Sequence, residues 1–209
     1  MRLTVFGATG GIGKEIVRQA LASGHKVTAV VRNRLDITDA NLTVVTVPGL
    51  SDPELLVPAL EGADAVLSGV GPRGRKDITV ASSATRGILT AMKLAGVRRF
   101  VAVSAWPVGP TPAGENFAGR YILRPFISTL LRGVYADLAV MEKEIAASGA
   151  QWTVVWPPQL KDGPLTGRYR SVIGANVPNA RHNTRADVAH LMLATLSNPD
   201  TVNQPVGIG

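Results

Sequence analysis

The sequence predicts an α/β fold: a single doubly wound domain, residues 1–209, built on a parallel β-sheet. Short Val-rich apolar segments alternate with segments of helical period, which is typical of a parallel sheet covered on both faces. The first apolar segment also runs directly into a glycine-rich turn that opens a helix. A chain of 209 residues with 45% hydrophobic content suits one domain with a buried core.

The first half of the chain alternates strand and helix regularly. Asp52 is a predicted N-cap, and Pro53 would occupy the first position of the helix that follows it. The predicted elements in order are strand 2–8, helix 14–24, strand 26–32, strand 42–47, helix 52–62, strand 63–70, helix 77–96 and strand 98–105.

The second half begins with an irregular segment, about residues 106–133, that is rich in Pro, Gly and Arg. A long segment without periodicity inside a domain is typically a lid or binding loop, so we predict a flap that borders the site. Regular elements follow: helix 135–149, strand 151–158, a short strand near 167–173, a helix 184–198 capped by Thr184, and a C-terminal tail. We expect this portion to bind the substrate.

Composition excludes several classes of function. The chain has no Cys and three scattered His, which argues against disulfides, thiolate catalysis and a metal site. It has no long apolar run and no leader-like start, so we expect a cytoplasmic protein without a membrane partner. The net charge of +7 is dispersed and aromatic residues are only 5%, which favours a small anionic or aromatic substrate over nucleic acid.

The stretch from Gly7 to Gly13 points to a phosphate-binding turn. Gly7, Gly10 and Gly13 have the spacing G-x-x-G-x-x-G, with a further glycine at Gly11, where the first strand turns into the first helix. Glycines there allow a tight turn and a close approach of pyrophosphate to the main chain, and the helix N-terminus favours anions. The alternative, an ordinary tight turn, is disfavoured by the strand-turn-helix context.

The end of the second predicted strand indicates which dinucleotide binds. An NAD site expects an acidic residue there to hold the ribose hydroxyl, but this chain has Arg32 and Arg34. Positive charge suits a 2′-phosphate, so the sequence predicts NADP. The alternative is that both arginines are solvated surface residues.

Five segments carry a resemblance to a known family. They are "FGATGGIG", "VVRN", "GILTAMKLAGVRRFVAVSA", "PPQLKDGPLTGRYR" and "TRADVAHLMLATL". Together they resemble the NADPH-dependent flavin reductase and biliverdin-IXβ reductase family, atypical short-chain dehydrogenases with a Rossmann fold. The resemblance runs from Leu3 to about Asp200, and its most specific part is the string from Pro157 to Tyr169.

The resemblance implies a role for each matching residue. Ser104, at the end of the fifth strand, would lie beside the nicotinamide and the acceptor, and is the candidate catalytic residue; the alternative is a hydroxyl satisfied by nearby backbone. The residues assigned to NADP are Gly7, Thr9, Gly10, Gly11, Ile12 and Gly13 at the pyrophosphate, Arg32, Asn33 and Arg34 near the 2′-phosphate, and Gly71, Arg73, Pro158 and Gln159 elsewhere along the cofactor.

Three departures from the family pattern concern the substrate more than the cofactor. Gln159 stands where the biliverdin-reducing member has a histidine, which weakens the expectation of a tetrapyrrole substrate. Leu50 stands where many relatives have an Asp near the adenine, so an apolar contact replaces a hydrogen bond. Val103 replaces a threonine beside Ser104.

The sequence also lacks the Tyr-x-x-x-Lys pair by which many short-chain dehydrogenases protonate a carbonyl. Tyr121 is followed by Pro125, and Tyr135 by Ala139. Hydride transfer to a flat electron-poor acceptor, such as a flavin, quinone or biliverdin, needs mainly orientation. Flap residues could stack on such a ring or bind its acidic tail, or else form flap core and solvated surface; they are Trp106, Phe117, Arg120, Tyr121, Arg124 and Phe126, with Arg170 beyond the flap.

Two other functions stay open at this point. The missing Tyr-x-x-x-Lys pair also fits a non-catalytic NADP-binding redox sensor that docks on a partner. Isomerisation or reduction of a small aromatic or sugar-derived substrate is the third. The sequence leaves the oligomeric state open and is compatible with a monomer.

Overall fold

The fold is that of a computed structural model, which describes residues 1–72, 78–112, 114–115 and 131–209. Its strands and α-helices, in chain order, are β1 Arg2–Phe6, α1 Gly11–Ala22, β2 Lys26–Val31, β3 Leu42–Thr46, β4 Ala65–Ser68, α2 Val80–Ala95, β5 Arg99–Val103, α3 Arg132–Ala147, β6 Gln151–Trp156, β7 Gln159–Lys161, β8 Ser171–Ile173, β9 His182–Thr184, α4 Arg185–Ala194 and β10 Gln204–Ile208.

Eight of these strands form one sheet in the order β3-β2-β1-β4-β5-β6-β10-β8. Its strands pair in parallel except for β8, which is antiparallel to β10. The strand order reverses at β1, which lies between β2 and β4, and such a reversal leaves a crevice at the carboxyl ends of the strands. The predicted doubly wound α/β fold is confirmed.

Helices cover both faces of the sheet. The core on one face joins α1 and α4 to the sheet, and the core on the other face joins α2 and α3. Side chains alternate along β5: Val101 and Val103 pack under α1 and α4, whereas Phe100 and Ala102 pack under α2 and α3. Residue 104, one step beyond the strand, therefore falls on the side of α2 and α3. None of the helices in the described ranges is long and apolar enough to cross a bilayer.

The turn between β1 and α1 can be built only with glycines at two positions. Gly7 has φ +73°, and a Cβ there would lie 2.8 Å from the Gly69 carbonyl carbon. A Cβ on Gly13 would lie 2.1 Å from the Gly7 carbonyl oxygen. Both contacts are with backbone, which cannot move aside without opening the turn. The glycines therefore allow the close packing of helix on turn that their spacing predicts.

The structure corrects three predictions about elements. The helix predicted at 52–62 is wrong: the segment forms turns and a short 3-10 helix at Val57–Ala59. Pro58 explains this, because it has no N–H and its ring would clash with the carbonyl four residues earlier. The predicted C-terminal tail is strand β10 of the main sheet, and the strands β7 and β9 were not predicted at all.

The predicted flap is described only in part. Residues 106–112 and 114–115 carry no helix or strand, and α3 begins at Arg132, earlier than the predicted 135. Of the residues considered for acceptor binding, Phe117, Arg120, Tyr121, Arg124 and Phe126 lie outside the described residues.

Candidate functional site

A cavity of about 640 Å³ opens at the carboxyl ends of β1, β4 and β5, where the strand order reverses. The glycine turn, the end of β2 and the start of α2 also contribute to its wall. Several residues predicted from the sequence line it: Gly7, Thr9, Gly10, Gly11, Ile12, Arg32, Gly71 and Ser104. The fold thus brings predicted site residues from separate parts of the sequence, such as Arg32 and Ser104, to one cavity.

Five of the other predicted residues are described by the structure and do not line this cavity. Gly13 packs behind the turn, Asn33 follows Arg32 on the exposed surface, and Arg34 is exposed and pairs with Asp36 at 3.0 Å. Pro158 and Gln159 lie before and at the start of β7, and only the next residue, Leu160, reaches the cavity wall. Arg73 lies outside the described residues.

The N-terminus of α1 is open toward the cavity. The Lys14 N–H donates to the Gly10 carbonyl at 2.8 Å, so the N–H groups before it have no carbonyl to bond within the helix. Gly10 provides no side-chain cap, and the first turn contains no acidic residue. These N–H groups and the positive end of the helix dipole can therefore receive an anion.

Arg185 adds positive charge to the same turn, and the sequence did not indicate it. Its side chain covers Gly11 so closely that a Cβ on Gly11 would lie 2.4 Å from Arg185 Cδ. One guanidinium nitrogen pairs with Asp162 at 2.7 Å, and Asp162 is 94% exposed. Because Arg185 is distant in sequence from the glycines, only the tertiary fold shows that it lines the cavity.

The Asp187 carboxylate of α4 binds the specific string from Pro157 to Tyr169. Asp187 accepts hydrogen bonds from the N–H groups of Thr166 and Gly167, at 2.9 and 3.0 Å, and from the Thr166 hydroxyl at 2.8 Å. Burial alone would raise the pKa of Asp187, but its hydrogen bonds outweigh burial and lower the pKa. Thr184 caps α4, as predicted, by accepting from the Asp187 N–H at 3.0 Å.

The end of β2 and the loop after β3 form the part of the cavity where the 2′-phosphate was expected. Arg32 lies there with Leu50, the residue predicted to make an apolar contact with adenine. Gly49 and Ser51 complete this part of the wall. No acidic residue of the described chain lines the cavity, so the described part of its wall suits an additional phosphate.

Ser104 lies at the carboxyl end of β5 with its side chain buried. Its backbone N–H donates to the Val155 carbonyl at 2.9 Å. Within the described residues, the hydroxyl has no hydrogen bond of standard geometry, although it is close enough to Glu142 to influence the pKa of that carboxyl. Ser104 also lines the cavity, with its hydroxyl oxygen buried in the wall.

These residues fit a dinucleotide. Open N–H groups and Arg185 can hold a pyrophosphate at the glycine turn, Arg32 can pair with a further phosphate, and the Ser104 hydroxyl lies at the end of a central strand, where reacting groups collect in such sheets. Two cations and one helix N-terminus in a single cavity give it a strong preference for anionic ligands.

Comparison with known proteins supports this assignment. The photosystem II assembly factor Ycf39 of Synechocystis sp. is 35% identical over 90% of this chain, and an uncharacterized chloroplastic protein of Arabidopsis thaliana is 32% identical over 79%. The chain spans only 56% and 61% of these two relatives. A Bacillus subtilis protein, the uncharacterized sugar epimerase YhfK, is 27% identical and matches over 98% of this chain and 92% of its own length.

Solved structures share the fold over the whole chain. A protein assigned as an NADH-flavin reductase from Streptococcus pneumoniae has a TM-score of 0.81 at 23% identity, with 98% of it covered. A short-chain dehydrogenase/reductase from Veillonella parvula, in complex with NADP, has a TM-score of 0.82 at 18% identity, with 94% covered. The anaerobilin reductase ChuY of Escherichia coli O157:H7 has a TM-score of 0.74 at 22% identity, with 96% covered.

The family follows from a match over most of the chain. A family model described as NAD(P)H-binding matches residues 7–199, from the first glycine of the turn to the residues before β10. This agrees with the cofactor class expected from the glycine turn, and the resemblance to NAD(P)H-dependent reductases stated from the sequence is confirmed at this level. The chain belongs to the NAD(P)H-binding family.

Proposed function

We propose that the protein is an NADPH-dependent oxidoreductase that transfers hydride to a flat, electron-poor acceptor, with a flavin as the first candidate. The observation that carries this proposal is the Ser104 hydroxyl, buried at the end of β5 and without a standard hydrogen-bond partner in the described chain, in the cavity that contains the glycine turn. A buried hydroxyl is costly when it is left unsatisfied, so a ligand is its natural partner.

The choice of NADPH over NADH rests on charge. Arg32 lines the cavity after β2, where NAD-specific proteins place an acidic residue. Arg34, the other predicted cation, is exposed and paired with Asp36, so Arg32 is the better candidate for the 2′-phosphate. The fold shared with an NADP complex from Veillonella parvula supports the same choice.

Hydride transfer from NADPH to such an acceptor depends more on the relative orientation of the two molecules than on an activated acid in the protein. When bound, NADPH supplies the hydride, and the residues of this chain position the two reactants and exclude water. Carbonyl reduction through a tyrosine is disfavoured: burial raises the pKa of Tyr135, and residue 139, where its lysine partner would stand, is Ala. An acceptor whose ring takes up hydride readily has less need of an activated acid.

Turnover tests the proposed class of reaction. Purified protein is given NADPH with free flavins, quinones, biliverdin isomers and dyes, and oxidation of NADPH is followed at fixed protein concentration. We expect FMN or riboflavin to be reduced, with little turnover of simple ketones. Ketone reduction at a similar rate would show that a proton donor of the tyrosine type exists.

Ser104→Ala tests the residue on which the proposal depends. Loss of one orienting hydrogen bond should lower the rate of flavin reduction about ten- to a hundredfold, or about 1.4–2.7 kcal/mol, and leave NADPH affinity within a few fold. Ser83→Ala, which removes another hydroxyl from the cavity wall, is the matched control and should change the rate little. A wild-type rate in Ser104→Ala would make Ser104 a structural residue.

A second function, NADP binding without catalysis, is favoured by one specific observation. The relative at 35% identity is named as an assembly factor, which describes a role in assembly and not an enzymatic reaction. If this function is correct, NADPH binds with the same dependence on Arg32, but no acceptor in the panel is reduced. The same experiment therefore separates the two functions.

A further inference from the structure

Gly87 lies midway along α2, on the side of the helix that faces the loop of residues 49–51. Its helical backbone is one that any residue can adopt, and glycine is less favourable than alanine inside a helix. A Cβ on Gly87 would lie 2.1 Å from the Leu50 carbonyl oxygen and 3.1 Å from the Ser51 Cα. The packing of the loop on the helix, and not the helix itself, therefore requires glycine here.

This contact joins two parts of the cavity wall. All three residues of the loop line the cavity. Ser83 and Ala84 line it from α2, and they lie one helical turn before Gly87, on the same face of the helix. The separation of the loop from α2 is therefore set at Gly87, and this separation determines the shape of the cavity between them.

The loop is the part of this contact that can move. The helix α2 packs on the sheet through buried side chains such as Ile88, and Asp137 of α3 binds its N-terminus. In contrast, Leu50 is only partly buried and Ser51 is exposed. A methyl group at residue 87 would therefore displace the loop until the separation of 2.1 Å reached at least 3.0 Å, below which a Cβ is essentially never found.

We propose that Gly87 is a positioning residue for the adenosine half of NADPH and acts through Leu50. The inference rests on the proposed function, because that function brings NADPH to the cavity. Its geometric basis is the contact of Gly87 with the Leu50 backbone, and the place of Leu50 in the same part of the cavity wall as Arg32. The nicotinamide end, assigned to Ser104, does not depend on this contact.

The contribution of Leu50 to binding depends closely on distance. Its side chain has no polar atom, so it can stabilise a bound base only by dispersion and by removing apolar surface from water. A gap of about 0.5–1 Å loses about a quarter to a half of the dispersion attraction. The displacement of the loop that Gly87→Ala requires is of this size, so the affinity for ligands that contain adenosine should fall.

The first test needs no turnover. Adenosine 2′,5′-bisphosphate, which represents the adenosine half of NADPH, is titrated into wild type and Gly87→Ala by calorimetry. We expect its affinity to fall about ten- to a hundredfold, the usual range for a side chain too large for its site. Gly133→Ala, in α3, is the matched control: a Cβ there would lie 3.5 Å from the nearest atom, Ile78 Cδ1, so the affinity should stay unchanged.

The second test compares the two halves of the cofactor. Reduced nicotinamide mononucleotide carries the hydride but lacks the adenosine half. With a flavin as acceptor, kcat/KM for this donor should stay within about twofold in Gly87→Ala, whereas kcat/KM for NADPH should fall by the factor measured for adenosine 2′,5′-bisphosphate. The value of kcat at saturating NADPH should not change. Partial unfolding would lower both values of kcat/KM alike, so the two donors separate positioning from folding.

Leu50→Ala provides a test that stands even if Gly87→Ala does not fold. It removes the side chain that Gly87 positions and leaves the contact of the loop backbone with α2 in place. We expect its affinity for adenosine 2′,5′-bisphosphate to be about fivefold lower than that of the wild type.

The outcomes separate the two proposals. Three results overturn the positioning role and leave the reductase intact: unchanged affinity for adenosine 2′,5′-bisphosphate in folded Gly87→Ala, an equal loss for both halves of the cofactor, or unchanged affinity in Leu50→Ala. NADPH binding with no reduction of any acceptor overturns the proposed function, and the titrations with adenosine 2′,5′-bisphosphate then still decide the role of Gly87.

Discussion

Two helices begin at the same cavity, and their N-termini are treated in opposite ways. At α2, the Asp137 carboxylate from α3 accepts from the N–H groups of Ala81 and Ser82, at 2.9 and 3.3 Å, and from the Ser82 hydroxyl. At α1, there is no side-chain cap and no acid in the first turn. One helix end is neutralised from within the fold, whereas the other is left for a ligand.

The difference shows that α1 lacks the N-terminal stabilisation that α2 has, at the helix end where binding of a phosphate is proposed. A helix N-terminus normally gains stability from an N-cap or a nearby acid, and α2 and α4 both have one. An acid at α1 would occupy the N–H groups and repel a pyrophosphate. Glycine at Gly10 forgoes the cap, and Arg185 brings in positive charge instead. The comparison thus supports the proposed placement of the phosphates at α1.

The most direct way to break the comparison is to give α1 the acid that α2 has. Gly10 has the extended backbone of an N-cap, φ −82° and ψ 164°, so Gly10→Asp can cap the helix. We expect NADPH affinity to fall more than a hundredfold, measured by fluorescence titration. Gly10→Asn, which has an NH2 group in place of one carboxylate oxygen and no charge, is the control and should lose distinctly less NADPH affinity. Equal losses in both variants would mean that shape, not charge, governs this position.

The reverse change removes the acid from α2. Asp137→Ala leaves the N–H groups of Ala81 and Ser82 and the Ser82 hydroxyl without their buried acceptor. We expect the free energy of unfolding to drop by about 2–4 kcal/mol, measured by urea denaturation. NADPH affinity should stay within a few fold, since this helix end is not assigned to phosphate. A hundredfold loss of affinity in a folded Asp137→Ala would contradict the assignment.

The smallest expected effect concerns the cation added to α1. Arg185→Ala removes a guanidinium from the glycine turn. It should lower the affinity for NADPH and the affinity for NADH alike, by about tenfold, because both cofactors carry the same pyrophosphate. Asp162→Ala, which frees Arg185 of an exposed partner, is the control; surface ion pairs contribute little, so affinity should hardly change. A loss of affinity for NADPH without a loss for NADH would place Arg185 at the 2′-phosphate.

The sequence predicted the part of the molecule that depends on local pattern. The strands β1 to β6 are largely apolar, Val-rich segments, and the turn from Gly7 to Gly13 combines backbone requirements that only glycine meets at Gly7 and Gly13, so both were predictable. Strand β10 was missed because its five residues include Pro205 and Gly207, which are unfavourable in strands, and its place between β6 and β8 is set by the tertiary fold.

The same distinction holds for the candidate site. Residues beside the glycines or at strand ends, such as Arg32 and Ser104, carry a positional signal in the sequence. Arg185 carries none, because it reaches the site from a helix that is distant in the sequence. Arg34, two residues from Arg32, had the same signal and lies on the exposed surface, which shows that a strand end fixes a position only to within about two residues.

The central claim, that this cavity binds the phosphates of NADP with Arg32 at the 2′-phosphate, is tested most directly by one titration series. NADPH and NADH are titrated into wild type, Arg32→Ala and Arg34→Ala. A charge-assisted contact contributes about 1.5–3 kcal/mol, so NADPH should bind about ten- to a hundredfold more tightly than NADH in the wild type. Arg32→Ala should abolish the preference for NADPH and leave the affinity for NADH unchanged. Arg34→Ala should keep the preference for NADPH. Equal affinities for the two cofactors in the wild type would contradict the claim.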